Sequence, residues 1–105
     1  MLKRKFRIPK GVRLESFRLL PAPAFLVKTR ENELLFNRFT IIVSRKIDKR
    51  AVVRNRIRRL ISSCLEELYS ELSQGNDIVL VVKRGAINKS RQDFFSMIKQ
   101  VLGKL

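Results

Sequence analysis

The sequence predicts a single α/β domain, and three observations carry the expectation. Apolar residues recur at helical spacing for four turns in the middle of the chain. A segment apolar on both faces follows that helix, and two strand-like segments precede it. At 105 residues the chain is one domain long and able to bury a modest core. Its apolar share of 45% is ordinary for a globular protein and too high for a disordered one.

Residues 1–23 read as a basic N-terminal arm, closed by the bend PAPA at 21–24. AFLVKTR (24–30) reads as a strand. A loop around residues 30–33 links it to RFTIIVSRK (38–46), a strand with Phe39, Ile41 and Val43 on one face. From Val53 the apolar residues fall at Ile57, Leu60, Ile61, Cys64, Leu65, Leu68 and Leu72. That spacing predicts a helix over 51–73, stopped by Gly75 and Asn76. DIVLVVKR (77–84) is apolar on both faces and reads as a buried central strand. A last helix starts near Ser90, with Asp93 as a capping partner and the stripe Phe94, Ile98, Val101, Leu102 and Leu105. The α/β core thus spans 24–105 of a single domain covering 1–105.

Charge sets this chain apart. Lys and Arg number 24 against 9 Asp and Glu, a formal net charge of +15. Such a surplus points to a polyanionic partner, nucleic acid first and an anionic membrane surface second. Residues 1–18 hold +6, from Lys3, Arg4, Lys5, Arg7, Lys10, Arg13 and Arg18 against Glu15. Residues 45–59 hold +7, from Arg45, Lys46, Lys49, Arg50, Arg54, Arg56, Arg58 and Arg59 against Asp48. Residues 60–105 add only +1. The predicted central helix is therefore basic at its start and acidic farther on, at Glu66, Glu67 and Glu71. That polarity opposes the helix dipole, at about 0.3 to 1 kcal/mol per misplaced charge. Stability does not account for it. An external anion does, because a helix start already binds phosphate through free N–H groups and arginines add bidentate contacts.

Other signals are smaller. Cys64 lies on the apolar stripe, where it reads as a small buried hydrophobe; a single cysteine excludes an internal disulfide. Phe6, Phe17 and Phe25 lie in or beside the basic arm and could stack on bases. Each could instead pack the core or staple the arm, and packing is the better reading for Phe25. Histidine is absent, and the nine acids form no paired motif on a strand, so hydrolysis by the polypeptide itself has little support. The longest apolar run, residues 78–82, is too short for a membrane span or a signal-peptide core. The chain reads as soluble and cytoplasmic.

AVVRNRIRR (51–59) resembles the Arg-Asn-Arg signature of the protein subunit of bacterial ribonuclease P. RFTIIVSRK resembles that family's strand ending in Ser-Lys-Lys, and GNDIVLVVKRGA (75–86) its Gly-x-Asp-hydrophobic strand. The likeness covers residues 24–105. It implies a two-layer sandwich of a small mixed sheet and helices, in helix-strand-strand-strand-helix-strand-helix order. It further implies a hairpin of 24–30 with 38–46 beside 77–84, and a left-handed crossover through the Arg-Asn-Arg helix. The implied function is assistance to a catalytic RNA that removes the 5′ leader of precursor transfer RNA. Magnesium is expected with that RNA, and no cofactor on the protein alone. By position, Arg54, Asn55, Arg56, Arg58 and Arg59 match the signature helix, and Ser44, Arg45 and Lys46 the strand end; the neighbouring Lys49 and Arg50 extend the expected RNA contact. The family's longer N-terminal helix is expected to be reduced or missing here, because Pro9 and Gly11 break FRIPKGVRLESF.

The expected partners are therefore ribonuclease P RNA and precursor transfer RNA, with no membrane and no small-molecule substrate. The charge map also allows a ribosomal or other RNA-scaffold protein without a processing role.

Overall fold

A computed structural model of the chain describes residues 3–9, 11 and 17–105. Its strands are β1 (Arg18–Pro21), β2 (Phe25–Glu31), β3 (Arg38–Ile42) and β4 (Asn76–Val82); its helices are α1 (Ala51–Leu68) and α2 (Arg91–Leu102). Short 3₁₀ turns occupy Arg4–Phe6, Tyr69–Glu71 and Arg84–Ala86. The strands form one mixed sheet in the order β1-β2-β4-β3. β1 and β4 both run antiparallel to β2, whereas β3 and β4 are parallel.

The expected two-layer α/β sandwich is thus present, with one correction. The segments at 24–30 and 38–46 are not a hairpin, because β4 lies between β2 and β3. The reason is burial. Ile78, Val79 and Leu80 are all buried, and a strand with no polar face is best covered when it has a neighbour on each edge. A further strand, β1, comes from the segment read as the basic arm; Arg18 pairs with Thr29 and Pro21 with Leu26.

One face of the sheet presents Phe25, Val27, Phe39, Ile78, Leu80 and Val82 to the core, where they meet Ile57, Ile61, Cys64, Leu65 and Leu68 of α1. Phe94, Ile98, Val101 and Leu102 of α2 complete it. The α2 start is a full capping box: Ser90 Oγ accepts the Asp93 N–H at 3.1 Å, and Asp93 Oδ2 accepts the Ser90 N–H at 3.0 Å. The α1 helix ends five residues earlier than its apolar spacing predicts, tightening into the 3₁₀ turn at Tyr69. Gly75 then turns the chain into β4 at φ +87°, with Leu34 O only 3.1 Å from where a Cβ would stand.

The end of the sheet where β4 begins is locked by a polar network. Asp77, 1% exposed, accepts from Arg38 Nε and Nη2 at 2.9 Å each, from Asn32 Nδ2 at 3.0 Å and from Arg30 Nη2 at 3.5 Å. Arg30, Asp77 and Arg38 stand opposite one another on three adjacent strands. Buried Asn37 holds the start of β3 to the turn before β4. Its Nδ2 donates to Ser73 O at 2.8 Å and its Oδ1 accepts the Asn76 N–H at 2.9 Å. Burial pushes the Asp77 carboxyl up, but the Arg38 and Asn32 hydrogen bonds and the Arg38 and Arg30 charges outweigh it and hold the group below its ordinary range.

Two outcomes follow for Asp77. Asp77→Asn should cost about 2 to 3 kcal/mol in urea unfolding, because two guanidinium groups lose their shared anion; Arg38→Gln should cost less, since Arg30 and Asn32 remain. A folded-state pKa below the unfolded value of about 3.9 means the contribution is fully present above pH 4 and is lost as pH falls further. Asp77→Asn should therefore flatten the stability profile below pH 4. A variant that unfolds like the parent at every pH would remove Asp77 from this role.

Candidate nucleic-acid interface

Because β3 and β4 are parallel, both leave the sheet at the same end. The chain then enters α1 from β3 and α2 from β4, so both helices start there; Ser73 Oγ donating to Leu105 O at 3.1 Å ties the C-terminal end of α2 to the other. The two starts differ. The capping box occupies α2, whereas α1 has Arg50 at its N-cap, no side-chain cap and no acid in its first turn. The dipole's positive end is thus surrounded by cations.

The signature arginines divide into two groups. Arg54 Nη1 donates to the carbonyls of Asp48 at 2.9 Å and Lys49 at 2.8 Å. Arg58 Nη2 donates to Val43 O at 3.2 Å, and its Nη1 to Asn55 Oδ1 at 3.1 Å. These two half-buried side chains strap the β3–α1 link to the helix. Arg56 reaches sideways to Lys89 O at 3.4 Å and is otherwise exposed. Arg45, Lys46, Lys49 and Arg59 are exposed, and their side chains make no hydrogen bond or ion pair to a described residue. Ser44 and Asn55 are exposed beside them.

Asp48 is the acid in this block, and it is engaged. It accepts the Arg50 N–H at 2.9 Å and pairs with the Arg50 guanidinium at 2.8 Å. Those hydrogen bonds hold its carboxyl down at about 2. All ten expected RNA-contact residues, Ser44, Arg45, Lys46, Lys49, Arg50, Arg54, Asn55, Arg56, Arg58 and Arg59, thus lie at one end of the molecule.

The three phenylalanines separate. Phe25 is a core residue: it is fully buried with its ring stacked on Phe94 at 6.5 Å, so it has no face for a base. Phe6 is half-buried in an aromatic cluster, 4.7 Å from Tyr69 and 5.8 Å from Phe36 between centroids. That cluster seats the N-terminal segment along the outer edge of β3, where the Ile8 N–H donates to Phe39 O at 2.9 Å. Phe17 lies under the Arg30 guanidinium at 4.6 Å and lines a groove of about 950 Å³ at the end of the sheet away from the α1 start. Of FRIPKGVRLESF (6–17), where the N-terminal helix is expected to be reduced or missing, residues 10 and 12–16 lie outside the described residues; a single 3₁₀ turn, Arg4–Phe6, ends at its first residue, and residues 7–9 are not helical. Sequence reasoning missed the Arg30–Asp77–Arg38 row, although Asp77 opening an apolar strand was a visible sign of a buried acid.

A small basic α/β sandwich with an uncapped, cation-ringed helix start is the class of protein that this geometry defines. The ribonuclease P family model matches residues 14–105, and the chain belongs to that family. It is 38% identical over 68 residues to the ribonuclease P protein component of Microcystis aeruginosa, covering 65% of this chain and 57% of the relative. With the component of a Cyanothece species it shares 42% over 67 residues, 64% of this chain and 51% of the relative. The chain thus spans little more than half the length of these curated relatives. The Staphylococcus aureus RNase P protein superimposes with a TM-score of 0.83 at 25% identity, covering 94% of each chain. The Thermotoga maritima RNase P protein shares the fold, with a TM-score of 0.81 at 20% identity over 87% of this chain and 86% of that one.

The division of the arginines predicts opposite stability effects. Arg59→Gln removes a charge from an unfavourable dipole position and should leave the free protein as stable or a few tenths of a kcal/mol more so. Arg54→Gln also removes two carbonyl contacts and should lower stability by about 1 kcal/mol. Thermal melts of the pair check this; equal melting temperatures would mean the carbonyl contacts contribute nothing.

Proposed function

We propose that this chain is the protein subunit of a bacterial ribonuclease P, which binds the catalytic RNA and helps it remove the 5′ leader of precursor transfer RNA. The observation that carries the reading is the α1 start: without a side-chain cap, opposed to its own dipole, and ringed by cations, of which Arg45, Lys46, Lys49 and Arg59 have side chains with no hydrogen bond or ion pair to a described residue. In this reading Ser44, Arg45, Lys46, Lys49, Arg50, Asn55, Arg56 and Arg59 meet the RNA backbone, while Arg54 and Arg58 hold the frame. The leader is assigned to the sheet face bearing Leu19, Lys28, Val79 and Thr40, with Phe17 as the aromatic group at its end.

The chemistry is assigned to the RNA and its magnesium. The protein's own carboxylates support that assignment: Asp77 is held by two arginines, Asp48 by Arg50, Asp93 by Ser90 and Glu67 by Arg91. Among the described residues, no group of three or more carboxylate or cysteine side chains is placed to hold a metal. The cytoplasm, where transcripts are processed, is the compartment this role requires.

The deciding assay is reconstitution. Added to a bacterial ribonuclease P RNA at low magnesium, the protein should restore cleavage of precursor transfer RNA. A scaffold protein would bind the RNA and leave cleavage unchanged, and that result would reject the reading.

RNA affinity should be electrostatic. With about five to seven phosphates neutralised, log K should fall against log salt with a slope of about −4 to −6. Arg59→Gln should weaken binding to ribonuclease P RNA by about 1 to 3 kcal/mol. Unchanged affinity in filter-binding titrations would show that Arg59 makes no contact.

A further inference from the structure

The connection from β4 to α2 carries Lys83, Arg84 and Lys89, and Arg91 opens the helix; the first acid after them, Asp93, is engaged in the α2 cap. This connection is held firmly. The Lys83 N–H donates to Ala24 O at 2.8 Å, Ala86 N–H to Lys83 O at 3.0 Å and Ile87 N–H to Arg84 O at 3.1 Å. Ala86 is fully buried as its anchor. Gly85 lies so close to the bend before β2 that an added Cβ would stand 3.1 Å from Pro23 O. Within that frame Arg84 is exposed with no hydrogen bond or ion pair from its side chain to a described residue, and Lys89 is half-buried, its charge near enough to Asp93 to help hold that carboxyl down but not hydrogen-bonded to it.

Arg56 joins this connection to α1 through Lys89 O. Farther along α1, Arg91 Nε donates to Ser63 Oγ at 3.0 Å and Arg91 Nη2 pairs with Glu67 at 3.2 Å. α2 therefore begins beside Ser63, about 18 Å along α1 from Ala51 at 1.5 Å per residue. The first turns of α1 project past it and make a step. Arg56 and Arg59 stand on one side of that step, Arg84 and Lys89 on the other. The nearby rings offer no stacking platform: Phe25 and Phe94 are buried, and Phe95 lies between Arg91 and Lys99.

We propose that the β4–α2 connection is a second RNA-contact element, which with α1 grips the sugar-phosphate backbone of a base-paired segment. The proposal rests on the ribonuclease P reading and specifies which part of the RNA this end holds. Unpaired strands are held by stacking bases on aromatic rings. Paired RNA hides its bases and is recognised by shape and phosphate contacts. Two cationic walls without an aromatic platform suit the second. Cations displayed on a fixed backbone also leave less freedom to be lost on binding.

The test is the full chain carrying Lys83→Gln, Arg84→Gln and Lys89→Gln together. It is titrated across a salt series against a bacterial ribonuclease P RNA transcript and against an unpaired oligonucleotide of leader length. Transcript binding should weaken about ten- to a hundredfold at low salt, and the log K against log salt slope should shrink by about 2 to 3. Oligonucleotide binding should stay within about twofold of the parent. Because Lys83 Nζ also donates to Ala22 O at 3.4 Å, the charge-conserving Lys83→Arg, Arg84→Lys, Lys89→Arg variant serves as control and should bind the transcript like the parent. Three results overturn the proposal: equal weakening toward the oligonucleotide, loss of binding in the charge-conserving variant, or unaltered transcript binding while Arg59→Gln weakens it. The ribonuclease P reading fails separately, if the parent chain leaves cleavage by the transcript at low magnesium unchanged.

Discussion

β4 must be covered on its core face and on both edges, and the rest of the molecule is arranged around that requirement. Its residues Ile78, Val79 and Leu80 are buried, so the strand takes the sheet interior, with β2 on one edge and β3 on the other. β3 runs parallel to it, which forces the intervening chain to return along the sheet as α1. One consequence is functional. Parallel neighbours leave the sheet at the same end, so the α1 start, the β3–α1 link and the β4–α2 connection all gather there. The cations meet through topology, not through proximity in sequence.

The two ends of the sheet handle charge in opposite ways. Where β4 begins, Asp77 is surrounded by Arg30, Arg38 and Asn32, and Asn37 is bonded on both sides of its amide. Among the described residues no buried side-chain polar atom lacks a partner. Where β4 ends, exposed cations surround a helix start that carries no side-chain cap. The first end lowers the free energy of the folded chain. The second raises it slightly and lowers that of a complex with an anion.

Much of this was legible in the sequence. The helices, the central strand and the α2 cap followed from periodicity and from Ser90 with Asp93, since each rests on local spacing. The neighbours of β4 did not, because strand order is set by which faces need cover, and a connecting loop is compatible with either a hairpin or an inserted strand. β1 was hidden for a different reason. Its four residues end at Pro21 and follow a basic stretch, so they show neither length nor alternation. The basic run at 83–91 vanished in the charge sum for residues 60–105, where the acids of α1, of the turn after it and of β4 cancel it; only the fold separates those acids in space. Among the arginines, number and position were visible, but the division between Arg54 and Arg58 on one side and Arg59 on the other depends on where Val43, Asp48 and Lys49 place their carbonyls.

That division also explains why arginine suits these positions better than lysine. A guanidinium has five N–H donors fixed in a plane. Arg54 uses one nitrogen for two carbonyls, and Arg56 uses one for Lys89 O. Each keeps further donors and its full charge for an outside ligand. A lysine making the same carbonyl contacts would engage its single nitrogen, leaving no planar pair of donors for a phosphate. The arginines therefore do two things at once: they hold the strand-to-helix link in shape and they present oriented N–H groups from it. Side chains already fixed by the protein lose less freedom when a phosphate arrives. The same hydrogen bonds that keep a highly charged helix start folded thus leave it pre-arranged for an anionic ligand of the kind proposed.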